Sequence, residues 1–538
     1  MTVDFKTKIK PKSLSTIIKF LLPVILTVIT FSTTKNITYI IVGLVELALI
    51  FIIYNLLIGT NKWLRIIAEL LLFVFNAQMM VLFFGNSFTT LTMLKNVKFL
   101  QDLGGKLVPY LLGTLLVLAL IVMPVEPLLK NANKRIVLGL LTVLLLAEIF
   151  IHSDYKRFSP VQSFATLFVD EIRYQHVKRA AANPEVALAT FHRDSIEDGI
   201  QKPADLSEQP NVIVIFTEGL SYNIISDERD VMPTLKDFEK SCISFKNYYN
   251  HTFPTLRGVQ GQLYSGYKQE DDNQANNLIS LQSVLKSQGY KTAFINTEPY
   301  NDEFTLYLNN LGFDEIIDDP ENVSGYANGM TDLEAYNLLK SSAHELASNS
   351  QPFFLGIYTF GTHVSFDSKE YQFGDGSNDE LNKFYNCDQM FNAFLEDFKS
   401  SELADNTVLI FTTDHATYAD QSFTDAFPEH KRDCTDLDVM PLFIYYDGIK
   451  PQAIDANGRN SLCFAPTVLD FLDLDTENYF LGTSLFDKNA STAFDSMFYD
   501  ASYLISTKDC KIRYLDDLEI EEFLSQVLAY YSALEVQR

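Results

Sequence analysis

The chain has 538 residues, 47% hydrophobic and 20% charged, which suffices for two or three domains with full cores and is neither a disordered nor a collagen-like composition. A formal net charge of −26 excludes a general nucleic-acid binder, which needs a basic field. The average hides a division. Residues 1–160 carry 16 Lys/Arg against 7 Asp/Glu, and the remainder carries 26 against 61, so a basic, apolar segment precedes an acidic one.

Five apolar runs fill the first segment, at Leu14–Phe31, Ile37–Gly59, Trp63–Phe84, Leu107–Val125 and Ile136–Ile151. Each is close to the ~20 residues a helix needs to cross a bilayer, which predicts a five-helix transmembrane domain over residues 1–155. The first run follows Lys6, Lys8, Lys10 and Lys12 as a secretory signal would, but no small-residue cleavage site stands out and four more runs come after it. The tail lysines, Lys62 with Arg65, and Lys130, Lys134 and Arg135 share one side, which the positive-inside rule makes cytoplasmic. Lys35, Lys95, Lys98 and Lys106 on the other side weaken this bias without reversing it. An odd number of spans puts the rest of the chain outside the cytoplasm. Glu46, Glu69 and Glu148 fall in or near spans, where a carboxylate is a functional candidate; contact with another helix, or snorkelling, is the simpler reading. Trp63, the sole tryptophan, sits where an interfacial aromatic belongs.

Residues 156–209 read as an amphipathic connector. Phe164, Leu167, Phe168 and Ile172 recur at helical spacing between Pro160 and Ala182, Pro184 breaks the pattern, and Gln201–Gln209 is polar. From residue 210 to 538, strands are predicted at Val212–Thr217, Thr292–Asn296, Phe353–Thr359, Val408–Thr413 and Leu442–Tyr446. Helices are predicted at Leu278–Gln288, Asp332–Ser348 and Asn378–Lys399. Strands spaced by helices imply an α/β domain, a mostly parallel sheet covered by helices, with its chemistry beyond the carboxyl ends of the strands.

The strand ends carry chemistry-bearing residues. Glu218 comes after the first strand, His363 after the third, and Asp414-His415 after the fourth, a carboxylate and imidazole set suited to a divalent metal. The segment Asn250–Gly258 offers the hydroxyls of Thr252 and Thr255 just before a helix, whose dipole favours an alkoxide and an incoming phosphate. Each threonine could equally be a helix cap.

In this order, VIVIFTEGLS, FPTLRGVQGQLYSGY, GYKTAFIN, NGMTDLEAYNLL, FLGIYTFGTHVSF, VLIFTTDHATY, APTVLDFLDLD and YFLGTSLF resemble the sulfatase-like, alkaline-phosphatase-like fold of the alkaline phosphatase superfamily. The five-span membrane enzymes with an outward catalytic domain, the lipoteichoic acid synthases and related phosphoglycerol transferases, look most similar. The resemblance implies a metal held by Glu218, Thr255, Asp414 and His415, with Thr255 as nucleophile and His363 and Arg257 on substrate. Thr252 competes, since Pro254 stands two residues beyond it as in sulfatases. The gap to Leu263–Gly266 and the position of Arg257 favour Thr255. The resemblance also implies manganese as the ion, with magnesium or zinc as alternatives, and a multi-pass protein of the bacterial plasma membrane.

There are departures. Threonine cannot become the formylglycine of true sulfatases, which argues against sulfate-ester hydrolysis. Lipoteichoic acid synthases carry Arg and His in the loop after the second strand, whereas Asn296–Glu303 has neither and is acidic, which suits a cationic headgroup such as phosphoethanolamine, or a sugar. Tyr326 and Asn328 stand near the family's usual Trp, and Asp-His-Ala replaces Asp-His-Gly. The five cysteines are scattered; Cys242 and Cys463 read as core residues, and one bridge remains open. The expected activity is transfer of a phosphorylated headgroup from a phospholipid donor to a glycolipid or surface-polysaccharide acceptor at the membrane, with no nucleic acid involved. A hydrolase releasing product to water shares the first step. A non-catalytic scaffold is disfavoured by retention of Glu218, Thr255, Asp414 and His415.

Overall fold

In a computed structural model of the chain, the described residues are 11–58, 62–90, 93–94, 107–123, 125–180, 183–201, 203, 206–268, 276–323, 329–363, 368, 370–432, 434–499 and 504–536. Lys6, Lys8, Lys10, Lys95, Lys98, Lys106, Tyr326 and Asn328 lie outside them. Packing divides the chain into two units, Met1–Ile172 with Ala419–Phe427, and Arg173–Tyr418 with Pro428–Arg538.

In the first unit each apolar run is a helix: α1 Pro11–Ile29, α2 Ile37–Leu57, α3 Lys62–Gly85, α4 Leu107–Val122 and α5 Lys134–Asp154. Asn36 and Asn133 cap α2 and α5 by accepting from Thr38 N and Arg135 N. Among the described residues four stretches, Leu14–Thr34, Ile37–Leu57, Lys62–Gly85 and Lys134–Asp154, are long and apolar enough to cross a membrane. Among the described residues the fourth run contributes a helix of 16 residues, below the length expected of a span. Leu47, Ile50 and Tyr54 of α2 and Leu72, Phe75 and Met79 of α3 form the buried centre. By contrast α5 leaves Leu138, Leu146 and Ile149 exposed, as a lipid-facing surface does.

All three carboxylates near the spans meet protein groups. Glu69 accepts from Lys19 Nζ at 2.6 Å and from Tyr54 OH at 2.7 Å. Glu46 accepts from Ser159 Oγ at 2.8 Å and from Val161 N at 3.3 Å, at the start of α6 (Pro160–Ala180). Glu148 accepts from Gln162 Nε2 at 2.7 Å. Along α6 the predicted stripe is buried only at Leu167, while Phe168 and Ile172 are exposed.

The second unit is built on an eight-stranded sheet, in the order β4-β3-β5-β1-β6-β7-β2-β8. Its strands are β1 Asn211–Thr217, β2 Ile243–Lys246, β3 Lys291–Ile295, β4 Glu315–Ile317, β5 Phe353–Thr359, β6 Thr407–Thr413, β7 Leu442–Tyr445 and β8 Gln452–Asp455. Only β7 runs against its neighbours. The central strands β1, β5 and β6 are buried along nearly their whole length, which is why they read as continuous apolar runs. The strands that the sequence pattern missed are short, and β8 is mostly exposed. Nearer the C-terminus is a small antiparallel sheet, β9 Ser496–Phe498, β10 Leu504–Ser506 and β11 Arg513–Tyr514.

The principal helices are α7 Thr255–Tyr264, α8 Leu281–Ser287, α9 Asp332–Ala347, α10 Asp379–Ser400, α11 Phe464–Phe471 and α12 Asp517–Val536. Helix α8 starts three residues later than its apolar pattern, because Ser280 and Ser283 close a reciprocal cap that leaves Leu278 and Ile279 outside. Thr331 and Glu334 cap α9 in the same way. The closing motif is pinned by buried Arg459, which donates to Ser484 O at 2.7 Å and Leu485 O at 3.1 Å. All five cysteines are free thiols, so the bridge left open by the sequence is not formed.

Candidate metal and nucleophile site

Strand β1 pairs with β5 on one side and β6 on the other, with Thr217 opposite both Thr359 and Thr413. The three strands end level, so the residues just beyond them meet. The ladder runs one step further, with Glu218 N donating to Thr359 O at 3.1 Å and Asp414 N to Thr217 O at 3.3 Å. Strand order reverses about β1, the place where open α/β sheets form their crevice.

Glu218, Asp414 and His415 are all buried, and each offers a ligand atom within 4.8 Å of the others. Asp414 Oδ1 is saturated by Gly219 N at 2.8 Å and His415 N at 2.7 Å. Asp414 Oδ2, equally buried, accepts no hydrogen bond. His415 Nδ1 lies 2.7 Å from Ala416 O, so it carries a proton there, and Nε2 faces the two acids. Nε2 stands 3.3 Å from Asp414 Oδ2 and 3.5 Å from Glu218 Oε1. Two carboxylates, one imidazole nitrogen and an unused buried carboxylate oxygen are a donor set that a hard or borderline divalent cation satisfies.

The titration pattern expresses the same demand for positive charge. Burial would raise Glu218, but the His415 charge beside it overrides this and holds the carboxyl below its usual range. Burial and then the Glu218 carboxylate push Asp414 up to about 7. Burial would lower His415, yet Asp414 and Glu218 lift it to about 9. A proton on the cluster is held where a cation of higher charge would serve better.

Thr255 is the first residue of α7, where Pro254 holds the cap position and no side chain caps the helix. Its hydroxyl is therefore not spent on capping, and it donates to Glu218 Oε2 at 2.9 Å. The approach depends on Gly258, one turn on. A Cβ there would lie 2.2 Å from Asp414 O, so only glycine lets α7 press this closely on the strand ends. Thr252 is buried, and its carbonyl accepts from Asn250 Nδ2 at 3.0 Å. Arg257 lies 4.1 Å over the Tyr499 ring. His363 is half-buried beside Phe360, and its charge also lowers Glu218. Thr362 ties this turn to the site by donating to Glu218 O at 2.5 Å.

Sequence reading missed Tyr358, which is buried and donates to Glu218 Oε2 at 2.6 Å. The signal is parity. Tyr358 pairs with Phe216, two residues before Glu218, so both side chains leave the same face. It also missed Arg432, which donates to Ser221 Oγ at 2.9 Å and Thr435 O at 2.9 Å and pairs with Asp438 at 2.8 Å, joining the loops after β1 and β6. In the acidic loop after β3, Thr297 donates to Tyr358 O at 2.8 Å, and buried Glu298 accepts from Asn301 at 2.9 Å.

Residues 210–474 match the family model described as Sulfatase. They form a domain of the sulfatase-like branch of the alkaline phosphatase superfamily. Lipoteichoic acid synthase 2 of Bacillus subtilis is 25% identical over 322 residues, 52% of this chain and 47% of that protein. Lipoteichoic acid synthase-like YvgJ of the same organism is 23% identical, over 52% of this chain and 49% of its own length. The chain thus spans about half the length of the curated relatives it matches. In fold it is similar to a Vibrio parahaemolyticus protein of the alkaline phosphatase superfamily, with a TM-score of 0.53 at 18% identity over 68% of this chain and 96% of that one. It is similar also to the lipoteichoic acid synthase LtaP from Listeria monocytogenes, with a TM-score of 0.50 at 18% identity over 66% and 98%.

Proposed function

We propose that this chain is a membrane-anchored phosphotransferase that moves a phosphorylated headgroup from a phospholipid to a glycolipid or surface polysaccharide through an adduct on Thr255. The observation that carries the reading is the Thr255 hydroxyl at the N-terminus of α7, hydrogen-bonded to Glu218 and beside Asp414 and His415. Its hydrogen points at Glu218 Oε2, which leaves the oxygen lone pairs for phosphorus.

Glu218, Asp414, His415 and the Thr255 oxygen would hold the divalent ion, manganese first and magnesium or zinc next. When bound, it supplies a lower hydroxyl pKa and a counter-charge for phosphoryl oxygens. Thr255 Oγ forms a bond to phosphorus, the bond from phosphorus to the diacylglycerol oxygen breaks, and that oxygen leaves with a proton. His363 orients the phosphoryl group or protonates the leaving oxygen, and Arg257 faces substrate from the first helical turn. The amide end of α7 favours the anion in both steps. An acceptor hydroxyl then takes the group and frees Thr255. A cationic headgroup, phosphoethanolamine rather than phosphoglycerol, is favoured by buried Glu298 in the loop tied to Tyr358. Five spans, a cytoplasmic N-terminus and an extracytoplasmic domain complete the reading.

The test is peptide mass spectrometry of the full-length protein with manganese, given phosphatidylethanolamine or phosphatidylglycerol. A phosphoethanolamine increment on Thr255, absent in Thr255→Ala, is expected. An adduct that persists in Thr255→Ala and is lost in Thr252→Ala overturns the nucleophile. A reporter fused after Gln201 that is active only in the cytoplasm overturns the topology.

A further inference from the structure

The membrane unit contains a groove of about 540 Å³ between α3 and α4. Along α3 it is lined by Lys62, Arg65, Ile66, Glu69, Leu70 and Phe73, which fall on one face at helical spacing. Leu118 and Ile121 of α4 form the opposite wall. The lining changes character with depth. Lys62 and Arg65 stand at one end of α3 beside Trp63, which is 74% exposed and marks headgroup level. From Lys62 to Phe73 the helix rises ~16 Å, and below Glu69 the walls are entirely apolar.

The charges do not cancel. Glu69 is the sole acid in the lining, and it is already committed to Lys19 at 2.6 Å and to Tyr54 at 2.7 Å. Lys19 is fully buried and also donates to Ile121 O at 3.2 Å, so it neutralises both Glu69 and the carbonyl end of α4. The floor is thus electrically closed. Among the described residues neither Lys62 nor Arg65 forms an ion pair, which leaves two cations uncompensated at the mouth. Two cations at headgroup level above an apolar trough complement a molecule with a phosphate at one end and hydrocarbon below it.

We propose that this groove is a binding site for an anionic membrane phospholipid, with its phosphate between Lys62 and Arg65 and an acyl chain along Leu70, Phe73 and Leu118. The site lies wholly within the membrane unit and does not depend on the transfer chemistry proposed above.

The test uses the full-length protein in nanodiscs with a phosphatidylglycerol probe bearing a diazirine on its acyl chain, and the matching phosphatidylcholine probe. After irradiation, the phosphatidylglycerol label is expected on peptides from α3 and α4, and Lys62→Gln/Arg65→Gln should lower its yield about tenfold or more, two charges at headgroup depth being removed. Leu118→Trp, at an exposed position, should lower the yield by filling the trough with both cations in place, and it decides the matter if the double variant does not fold. Unlabelled phosphatidylglycerol should compete, and soluble glycerol phosphate should not. Equal labelling by the phosphatidylcholine probe, an unchanged yield in the variants, or competition by glycerol phosphate alone would overturn the proposal.

Discussion

Glu69 in the membrane unit is half-buried and Asp414 in the sheet unit fully buried, and their surroundings treat these two acids in opposite ways. Both oxygens of Glu69 are taken, one by Lys19 and one by Tyr54. Asp414 has one saturated oxygen and one that accepts nothing, with a second acid, Glu218, brought beside it. A satisfied acid joins helices. A buried pair of acids with an oxygen left over and a histidine turned toward it is arranged for something that arrives later. The contrast separates a structural carboxylate from a ligand where burial alone does not.

The largest effect expected is chemical. Asp414→Asn and Thr255→Ala should each lower turnover by roughly 10³-fold or more, since the first removes a ligand of the ion that stabilises the phosphoryl charge and the second removes the nucleophilic hydroxyl. Metal content should fall in the first variant, while Thr255→Ala keeps its three remaining ligands and most of its metal. Retention of metal by Asp414→Asn, read by elemental analysis, would place the ligands elsewhere.

Stability should move in opposite directions in the two regions. In metal-free protein Asp414→Asn relieves a buried repulsion with Glu218 and should raise the unfolding temperature. Glu69→Leu strands a buried ammonium and should cost about 3–5 kcal/mol, most of it regained in Lys19→Met/Glu69→Leu. Thermal unfolding in detergent reads both, and a loss of stability in Asp414→Asn would break the comparison.

A smaller effect is expected at Tyr358. Tyr358→Phe keeps the ring and removes the hydroxyl that orients Glu218, so metal affinity should fall about 10-fold with the fold intact. Titration of the metal-free protein with manganese measures this, and an unchanged affinity would show that Thr255 alone suffices to orient Glu218.

The smallest effect concerns Asp332 at the start of α9, which accepts from Gly361 N at 3.2 Å. Burial pushes its carboxyl up to about 7. The folded state therefore binds this proton more tightly than the unfolded chain does, so the contribution is complete below about pH 4 and lost as pH rises through about 7. Asp332→Asn should flatten that part of the profile of stability against pH, measured by thermal unfolding. A profile of unchanged slope would assign the dependence to other buried acids.

The sequence by itself determined the periodic and contiguous features. The apolar runs became helices, four of them long and apolar enough to cross a membrane, because a long apolar run satisfies its backbone within itself only as a helix. The central strands β1, β5 and β6 were legible to within a residue because strands buried on both faces read as unbroken β-branched and aromatic runs. That Glu218, Asp414 and His415 come together was legible because strand ends in such a sheet share one edge. Tertiary structure alone decided the rest. The sequence separation of 37 between Glu218 and Thr255 carries no pattern that brings their side chains to 2.9 Å; the packing of α7 on the strand ends at Gly258 does. Which strand lies beside which put Tyr358 on Glu218, and neighbours distant in sequence, Lys19 for Glu69 and Ser159 for Glu46, made those acids structural. Local preference acts over a few residues, whereas a site is a set of distances between segments far apart in the chain, and only the packed fold sets them.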